Sequence, residues 1–204
     1  DSIVRVKFGS SQALRNIIIP PINYGSLTPS WPDIRRRIIL PQEMDAFLAE
    51  ETGIHLGDGN LHVTLYLDGT KSHYYDLCGN LLDEIYYHKD YITSLIKKLY
   101  NLQPFYYLSE KKNSISTICK SKVILAYKHQ VLGLPIGNKK YAQIPKQILG
   151  TPEFEKRMLV GIFDTDFTLQ KYRLSGSLAS LKLIKQISTL LNQHSIVHNF
   201  RLFS

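Results

Sequence analysis

Two short acidic segments of this 204-residue chain combine residue types that could bind a metal ion. Residues 52–59 read TGIHLGDG and residues 159–168 read LVGIFDTDFT, and in each an apolar stretch runs into an aspartate. About 108 positions separate Asp58 from Asp166, which indicates an internal repeat. Two carboxylates that meet at helix C-terminal ends repel each other and the helix dipoles, and hard divalent cations relieve that repulsion. The pattern therefore predicts a paired Mg²⁺ site for phosphodiester hydrolysis.

Small residues in the same segments indicate how the two aspartates could come together. Gly53 and Gly57 in the first segment and Gly161 in the second would let two helix backbones approach closely. We expect the two helices to pack side by side, with both acidic ends at one point. The alternative is that these aspartates, including Asp164, only cap turns, and the matched positions of the two copies favour the metal site.

The elements around the first aspartate follow a regular order. Helical periodicity, alternation and turn residues distinguish the segments. Helices are predicted over residues 42–56, 83–100 and 121–132, and hairpins over residues 61–77 and 105–119. The order is therefore helix, hairpin, helix, hairpin, helix.

The same order begins again in the C-terminal part of the chain. Thr151 is the predicted N-cap of a helix that has Pro152 at its first position. The predicted elements are a helix ending at residues 164–166, short strands within 168–175, a helix over 178–191 and a strand over 196–203. The second copy has a shorter first hairpin and no full second hairpin, so we expect it to be truncated or to lack segments.

Composition bounds the domain organisation and the class of partner. Hydrophobic residues make up 44% of the chain, enough for a core in one large domain or two small ones. The formal net charge of +8 favours a polyanionic partner, although a soluble basic protein is the alternative. Cys78 and Cys119 form no CxxC pair, which argues against a disulfide scaffold or zinc ribbon and predicts a reducing, cytoplasmic setting. We divide the chain into an N-terminal extension (1–42), a first repeat with a linker (43–150) and a second repeat (151–204).

Longer stretches around the two aspartates resemble a known protein family. The LAGLIDADG motif is similar to both ETGIHLGDG and MLVGIFDTDF, and the similarity continues through DEIYYHKDYITSLIKKL, CKSKVIL and GLPIGNKKYAQIPKQI. It covers roughly residues 38–200 and resembles the single-chain, archaeal-type LAGLIDADG homing endonucleases. The resemblance implies an α+β fold of two α-β-β-α-β-β-α halves with pseudo-two-fold symmetry. It also implies motif helices at the interface and two saddle-like antiparallel sheets in the DNA major groove.

The resemblance further implies a monomeric, Mg²⁺-dependent endonuclease that cuts both strands of a long, partly degenerate DNA site. It implies that Mn²⁺ is tolerated and that Ca²⁺ binds without supporting cleavage. Carried over by position, Asp58 and Asp166 are the metal-binding carboxylates, and Lys120 is the basic residue near the cleaved phosphate, with Lys122 as the competing candidate.

Two departures from the family pattern keep other functions open. The incomplete second copy has no counterpart of Lys120, and the residue after its aspartate differs. Gly59 follows the first aspartate as the family motif requires, but Phe167 follows the second. The alternatives are a nuclease-inactive DNA-binding regulator or an RNA-splicing maturase, and, less favoured, a structural interaction domain.

The side chains predicted to contact DNA lie on the polar faces of the hairpins and in basic loops. Polar faces would read bases and phosphates while the apolar faces are buried under helices. They are His62, Thr64, Tyr66, Lys71, His73 and Tyr75 in the first hairpin, Lys111 and Lys112 at the tip of the second, and Gln170, Arg173 and Arg201 in the second copy. Lys139 and Lys140 in the linker and residues 35–37 are predicted phosphate contacts.

Overall fold

The computed structural model describes residue 25 and residues 27–199, which form an α+β arrangement of helices around two antiparallel sheets. The helices are α1 (Trp31–Arg35), α2 (Ala46–Asp58), α3 (Leu81–Tyr86), α4 (Thr93–Tyr100), α5 (Lys122–Ala126), α6 (Pro152–Asp166) and α7 (Leu181–Gln193). The strands are β1 (Gly59–Leu65), β2 (Lys71–Asn80), β3 (Phe105–Ser109), β4 (Ser114–Lys120), β5 (Phe167–Gln170) and β6 (Arg173–Gly176). Two π-helical segments, Tyr87–Ile92 and Tyr127–Val131, join α3 to α4 and extend α5.

The larger sheet has the strand order β1-β2-β4-β3, and β5 and β6 form a separate two-stranded sheet. All neighbouring strands are antiparallel. The two predicted hairpins of the first repeat are therefore confirmed, and they pair with each other through β2 and β4.

Side-chain caps set the helix starts. The Asp45 carboxylate accepts a hydrogen bond from the Leu48 amide at 2.7 Å, so α2 begins four residues later than the periodicity predicts. Ser121 caps α5 in the same way, accepting from the Ile124 amide at 3.1 Å. Thr151 precedes α6 but its side chain makes no capping bond.

Helix α2 lies at the centre of the core. Every residue from 48 to 57 is buried, because α2 packs against β2 on one side, against α4 on another and against α6 along its length. This enclosure explains why α2 has only a weak helical periodicity, with apolar and polar residues buried on all of its sides. Burial of Glu51 is compensated by Lys128, whose Nζ lies 2.7 Å from Glu51 Oε1 in a fully buried ion pair.

The glycines predicted to let the two motif helices meet do lie at their contact. A Cβ added at Gly53 would overlap the Met158 carbonyl oxygen and would lie 3.1 Å from the Gly161 Cα. A Cβ added at Gly161 would lie 2.7 Å from the Ile54 amide nitrogen. The backbones of α2 and α6 therefore approach so closely that neither position has room for a side chain.

Several predicted elements differ from the structure at the ends of the chain. The strand predicted over 196–203 is wrong for residues 196–199, which follow α7 without strand pairing, and the remainder lies outside the described residues. In the predicted N-terminal extension, the buried Asp33 carboxylate accepts from the Val123 amide at 3.3 Å and so ties α1 to the start of α5. Across residue 25 and residues 27–199, no helix is both long and apolar enough to cross a membrane.

Candidate metal centre and DNA-binding surface

The C-terminal ends of α2 and α6 bring the two motif aspartates together. A Cβ added at Gly57 would lie 3.6 Å from the Asp166 Cγ and would overlap the Thr165 hydroxyl. That hydroxyl donates to the Gly161 carbonyl at 3.0 Å, which holds it against its own helix and leaves the end of α2 free to approach. The absence of a side chain at Gly57 is thus what allows Asp166 to lie beside Asp58.

Burial acts on both carboxyl groups, and repulsion from Asp166 acts on Asp58 as well. Burial, the neighbouring Asp166 and, to a smaller extent, Glu84 raise the pKa of Asp58 to about 7. Burial also raises the pKa of Asp166 above its usual range. Two carboxyl groups in this state hold a proton near neutral pH unless a cation compensates them.

Lys139 supplies part of that compensation. Its predicted role as a phosphate contact stays a prediction, and its Nζ donates to the Gly57 carbonyl oxygen at the end of α2. The ammonium is half-buried and lowers the pKa values of both Asp58 and Asp166. The linker brings Lys139 to the end of α2, and no local sequence signal indicates this position.

The donor set fits a hard divalent ion that shares its ligands with a substrate. Among the described residues, no group of three or more His, Cys, Asp or Glu side chains could hold a metal ion. The centre instead offers two carboxylates, the Gly57 carbonyl oxygen and an adjacent pocket of about 180 Å³ lined by Gly57, Lys139 and Asp166. Mg²⁺ is commonly held by one or two carboxylates together with water and substrate phosphates, so the residues fit such an ion.

Phe167, the departure from the family motif, packs within the second half. It follows the last residue of α6 and begins β5, where it pairs with Gly176. Its ring contacts the Phe163 ring edge to face, with the centroids 4.7 Å apart. A Cβ added at Gly176 would lie 2.7 Å from the Phe167 Cγ, so the missing side chain at Gly176 provides the room for this ring.

The register of the first hairpin corrects half of its predicted DNA-facing residues. Leu61 pairs with Tyr75 and His62 pairs with Tyr74, and directly paired residues lie on the same face of a sheet. Tyr75 is fully buried in the core, so the prediction that it contacts DNA is wrong. Lys71 and His73 share its face, on the helix side of the sheet, and their predicted placement beside His62, Thr64 and Tyr66 is also wrong. The reason is the length of the connection between β1 and β2. Its five residues (66–70) place even-numbered residues of β1 opposite even-numbered residues of β2, so His62 shares a face with Tyr74 and not with Tyr75.

The outward face of the larger sheet contains residues that sequence reasoning missed. They are Tyr74, Asp76 and Cys78 on β2, Ser116 and Ile118 on β4, and Phe105 and Tyr107 on β3. The hairpin register identifies these residues. The alternation of polar and apolar residues alone cannot distinguish this register from one shifted by a single residue.

Four side chains on this outward face form a cluster. The His62 Nδ1 lies 3.2 Å from Asp76 Oδ2, and the His62 ring stacks on the Tyr74 ring at 4.9 Å between centroids. The Tyr74 and Tyr66 hydroxyl groups lie 2.9 Å apart. The cluster gives the face fixed hydrogen-bonding groups and a flat aromatic surface.

Lys120 lies beside the outward face, and most of the other predicted basic residues are exposed. Lys120 is the last residue of β4, is exposed, and places its Nζ 5.7 Å from the centroid of the Tyr74 ring, whereas Lys122 begins α5. Exposed positions are also found for Lys111 and Lys112 at the hairpin tip, for Lys140 and for residues 35–37. In the second copy Arg173 donates to Gln170 Oε1 at 2.7 Å across the β5–β6 turn, and Arg201 lies outside the described residues.

Comparisons with known proteins agree with this geometry. No protein-family model and no curated protein matches the sequence. Among solved structures, I-DmoI in complex with DNA and Mn matches with a TM-score of 0.60 and 16% identity over 78% of this chain and 83% of that chain. I-DmoI in complex with DNA and Ca matches with a TM-score of 0.57 and 16% identity over 74% and 72% of the two chains. Mesophilic variants from the homing endonuclease I-DmoI match with a TM-score of 0.57 and 16% identity over 74% and 77%.

Because sequence identity is only 16% in each case, these matches show the fold alone. I-DmoI is a single-chain LAGLIDADG homing endonuclease with two motifs. The chain therefore has the fold of this LAGLIDADG homing endonuclease, and the resemblance predicted from the two acidic segments is confirmed at the level of the fold.

Proposed function

We propose that this chain is a site-specific endonuclease that hydrolyses phosphodiester bonds of double-stranded DNA with a divalent metal ion. The observation that carries the proposal is the meeting of Asp58 and Asp166 at the ends of two closely packed helices, where their proximity and burial raise the pKa of Asp58 to about 7. The fold supports it, since the matching I-DmoI structures contain DNA together with Mn or Ca. On this proposal the protein acts as a monomer in which α2 and α6 lie on a pseudo-two-fold axis.

The chain's own residues have distinct roles in the proposed reaction. Asp58 and Asp166 would hold the metal, preferably Mg²⁺, whose charge activates water and stabilises the leaving oxygen. Because Asp58 binds a proton below about pH 7, the carboxylates become full ligands only as the pH rises through that value. Lys120, exposed at the end of β4, would approach the phosphate, and the outward face with His62 and Tyr74 would orient the DNA.

A second candidate is a nuclease-inactive relative that binds DNA as a regulator or RNA as a splicing maturase. The observation that favours it is the exposure of Phe105 and Tyr107 on the outward face, at 48% and 64%. Exposed aromatic rings stack on unpaired bases, which RNA presents and duplex DNA does not. Phe167, in the position where the family has glycine, also favours the nuclease-inactive candidate.

A cleavage assay with paired aspartate variants separates the two candidates. We expect the wild type to cut a plasmid library of candidate sites in Mg²⁺ or Mn²⁺ and to bind without cutting in Ca²⁺. Asp166→Asn should abolish cutting, because it removes a metal ligand, and should leave binding largely intact. Asp164→Asn, two residues earlier on the same helix, is the matched control and should keep cutting. Binding without cleavage by the wild type in every metal would support the inactive relative instead.

The corrected register of the first hairpin predicts which neighbouring residue contacts DNA. Tyr74→Ala should weaken binding to duplex DNA about tenfold, because the Tyr74 ring holds the His62 ring in place and lies beside the Lys120 ammonium on the outward face. His73→Ala should leave DNA affinity within about twofold of the wild type, because His73 lies on the helix side of the sheet. Fluorescence anisotropy with a labelled duplex measures both. The reverse result would mean that the hairpin presents its other face.

A further inference from the structure

A linker segment carries a lysine to the acidic centre from outside the two motif helices. The Gly137 amide donates to the Leu61 carbonyl at 2.8 Å, which holds the segment against β1. Five residues later the Ala142 carbonyl accepts from the Ser180 hydroxyl at 2.7 Å, which holds it against the start of α7. The turn that contains Lys139 is therefore fixed at both ends, and the position of its ammonium follows from the fold.

The ammonium of Lys139 occupies a place that suits a metal cation. Its hydrogen bond goes to the Gly57 carbonyl, one of the last carbonyls of α2, which lack partners within the helix and lie at its negative end. It also attracts the carboxylates of both Asp58 and Asp166. A helix carbonyl and two carboxylates are oxygen ligands that a hard divalent ion uses, and a lysine ammonium is a compact cation with three donors for the same oxygens.

We propose that Lys139 is a built-in cation of the metal centre, which weakens divalent-ion binding in the DNA-free protein and makes metal loading depend on DNA. The inference rests on the proposed metal site at Asp58 and Asp166. At a pH where both carboxyl groups of the free protein are charged, the ammonium neutralises one of the two negative charges, so an arriving divalent ion meets only one that is uncompensated. A DNA phosphate adds a negative charge, and Lys139 with a single divalent ion then balances the two carboxylates and the phosphate.

A centre with Lys139 should bind divalent ions differently from a pair of carboxylates without a lysine. Without Lys139 the same two carboxylates would attract a divalent ion strongly whether or not DNA were present. With Lys139 in place, the strong site forms only in the complex, so hydrolysis is confined to bound DNA. A single divalent ion together with the lysine would suffice for charge balance where the sequence predicts a pair of ions.

The test is divalent-ion binding to the full chain without DNA. Free Mn²⁺ is titrated by electron paramagnetic resonance against the wild type, Lys139→Met, Lys139→Arg and Lys146→Met. Lys139→Met should bind Mn²⁺ at least about tenfold more tightly than the wild type, because it removes a positive charge next to the ligands. Lys139→Arg should stay close to the wild type. Lys146→Met removes an exposed lysine of the same linker and should also stay close to the wild type.

The possible results distinguish this inference from the proposed endonuclease function. Equal Mn²⁺ affinity of Lys139→Met and the wild type, or an equal gain in Lys146→Met, would overturn the role of Lys139 even if the wild type cleaves DNA. A gain confined to Lys139→Met supports that role even if no cleavage is found. If Lys139→Met does not fold, adding Asp58→Asn to it offers a second measure. The double variant should recover thermal stability, because it no longer leaves two uncompensated carboxylates, and failure to recover would count against the role.

Discussion

Asp58→Asn should abolish DNA cleavage and, at the same time, stabilise the DNA-free protein. Cleavage should fall at least about 100-fold, because the amide lacks the charge with which the carboxylate binds a divalent ion. Stability should rise because the wild-type protein places Asp58 where its charge is unfavourable, beside Asp166 and shielded from water.

The sign of the stability effect follows from the pKa of Asp58. Its value of about 7 in the folded protein lies above the usual 3.8, so the folded state binds more protons than the unfolded state between these values. The free energy of unfolding therefore falls as the pH rises from about 4 to 7, and it stays low above pH 7. The full shift corresponds to about 4 kcal/mol, and since Asp58 is partly exposed we expect a gain of about 1–2 kcal/mol for Asp58→Asn at pH 8.

Urea unfolding at pH 5 and pH 8, together with plasmid cleavage, measures both effects. The stabilisation of Asp58→Asn relative to the wild type should be larger at pH 8, where the wild-type carboxyl is charged. Asp164→Asn is the control: burial and Glu50 also raise the pKa of Asp164, yet cleavage should persist because neither Asp58 nor Asp166 contributes to that shift. If Asp58→Asn is less stable than the wild type at pH 8, the charge of Asp58 is not unfavourable in the folded protein. If Asp58→Asn still cleaves DNA, Asp58 is not a required metal ligand.

The aspartates and the glycines of the centre could be predicted from the sequence because each carries its signal locally. Gly53 and Gly161 indicate a close helix contact by the absence of a side chain, and the two similar acidic segments of the sequence predict a shared centre. The faces of the first hairpin could not be assigned in the same way. A shift of one residue exchanges the two faces of a strand, and here the turn decided the pairing that put Tyr75 in the core.

Lys139 shows a second limit of sequence reasoning. A lysine in a linker resembles any solvated or phosphate-contacting lysine, since its neighbours along the chain are polar and turn-forming. Its place at the end of α2 depends on two long-range contacts of the linker, from Gly137 to Leu61 and from Ala142 to Ser180. Contacts of this kind belong to the tertiary fold, and no pattern within a short window reports them.

Gly161→Ala should separate the two motif helices and cost about 3 kcal/mol or more of unfolding free energy. The added Cβ would overlap the Glu50 carbonyl oxygen and lie 2.7 Å from the Ile54 amide nitrogen. Both are backbone atoms inside α2, which is buried on all sides, so neither can move away as a flexible side chain could. Overpacking of a rigid contact costs about 1–3 kcal/mol or more, and the helix propensity of alanine, better than that of glycine by about 1 kcal/mol, offsets only part of it.

The control for Gly161→Ala lies next to it on the same helix. Val160 is 41% exposed, so Val160→Ala should change the unfolding free energy by less than about 1 kcal/mol. Gly53→Ala tests the contact from the opposite side, because its Cβ would overlap the Met158 carbonyl oxygen. Since both glycines lie in one contact, the double variant should lose less stability than the two single losses added together.

Gly161→Ala should also impair the metal centre five residues further along α6. A helix that is pushed away from α2 at Gly161 carries Asp166 away from Asp58, and the two carboxylates then repel each other less. We therefore expect the pKa of Asp58 to fall towards its usual range and DNA cleavage to decrease more than DNA binding, because the outward face of the larger sheet belongs to the first half. Chemical unfolding and paired cleavage and binding assays at 25 °C measure these effects. Wild-type stability and cleavage in Gly161→Ala would show that the helices tolerate a wider spacing, and the close backbone approach would then have no part in forming the centre.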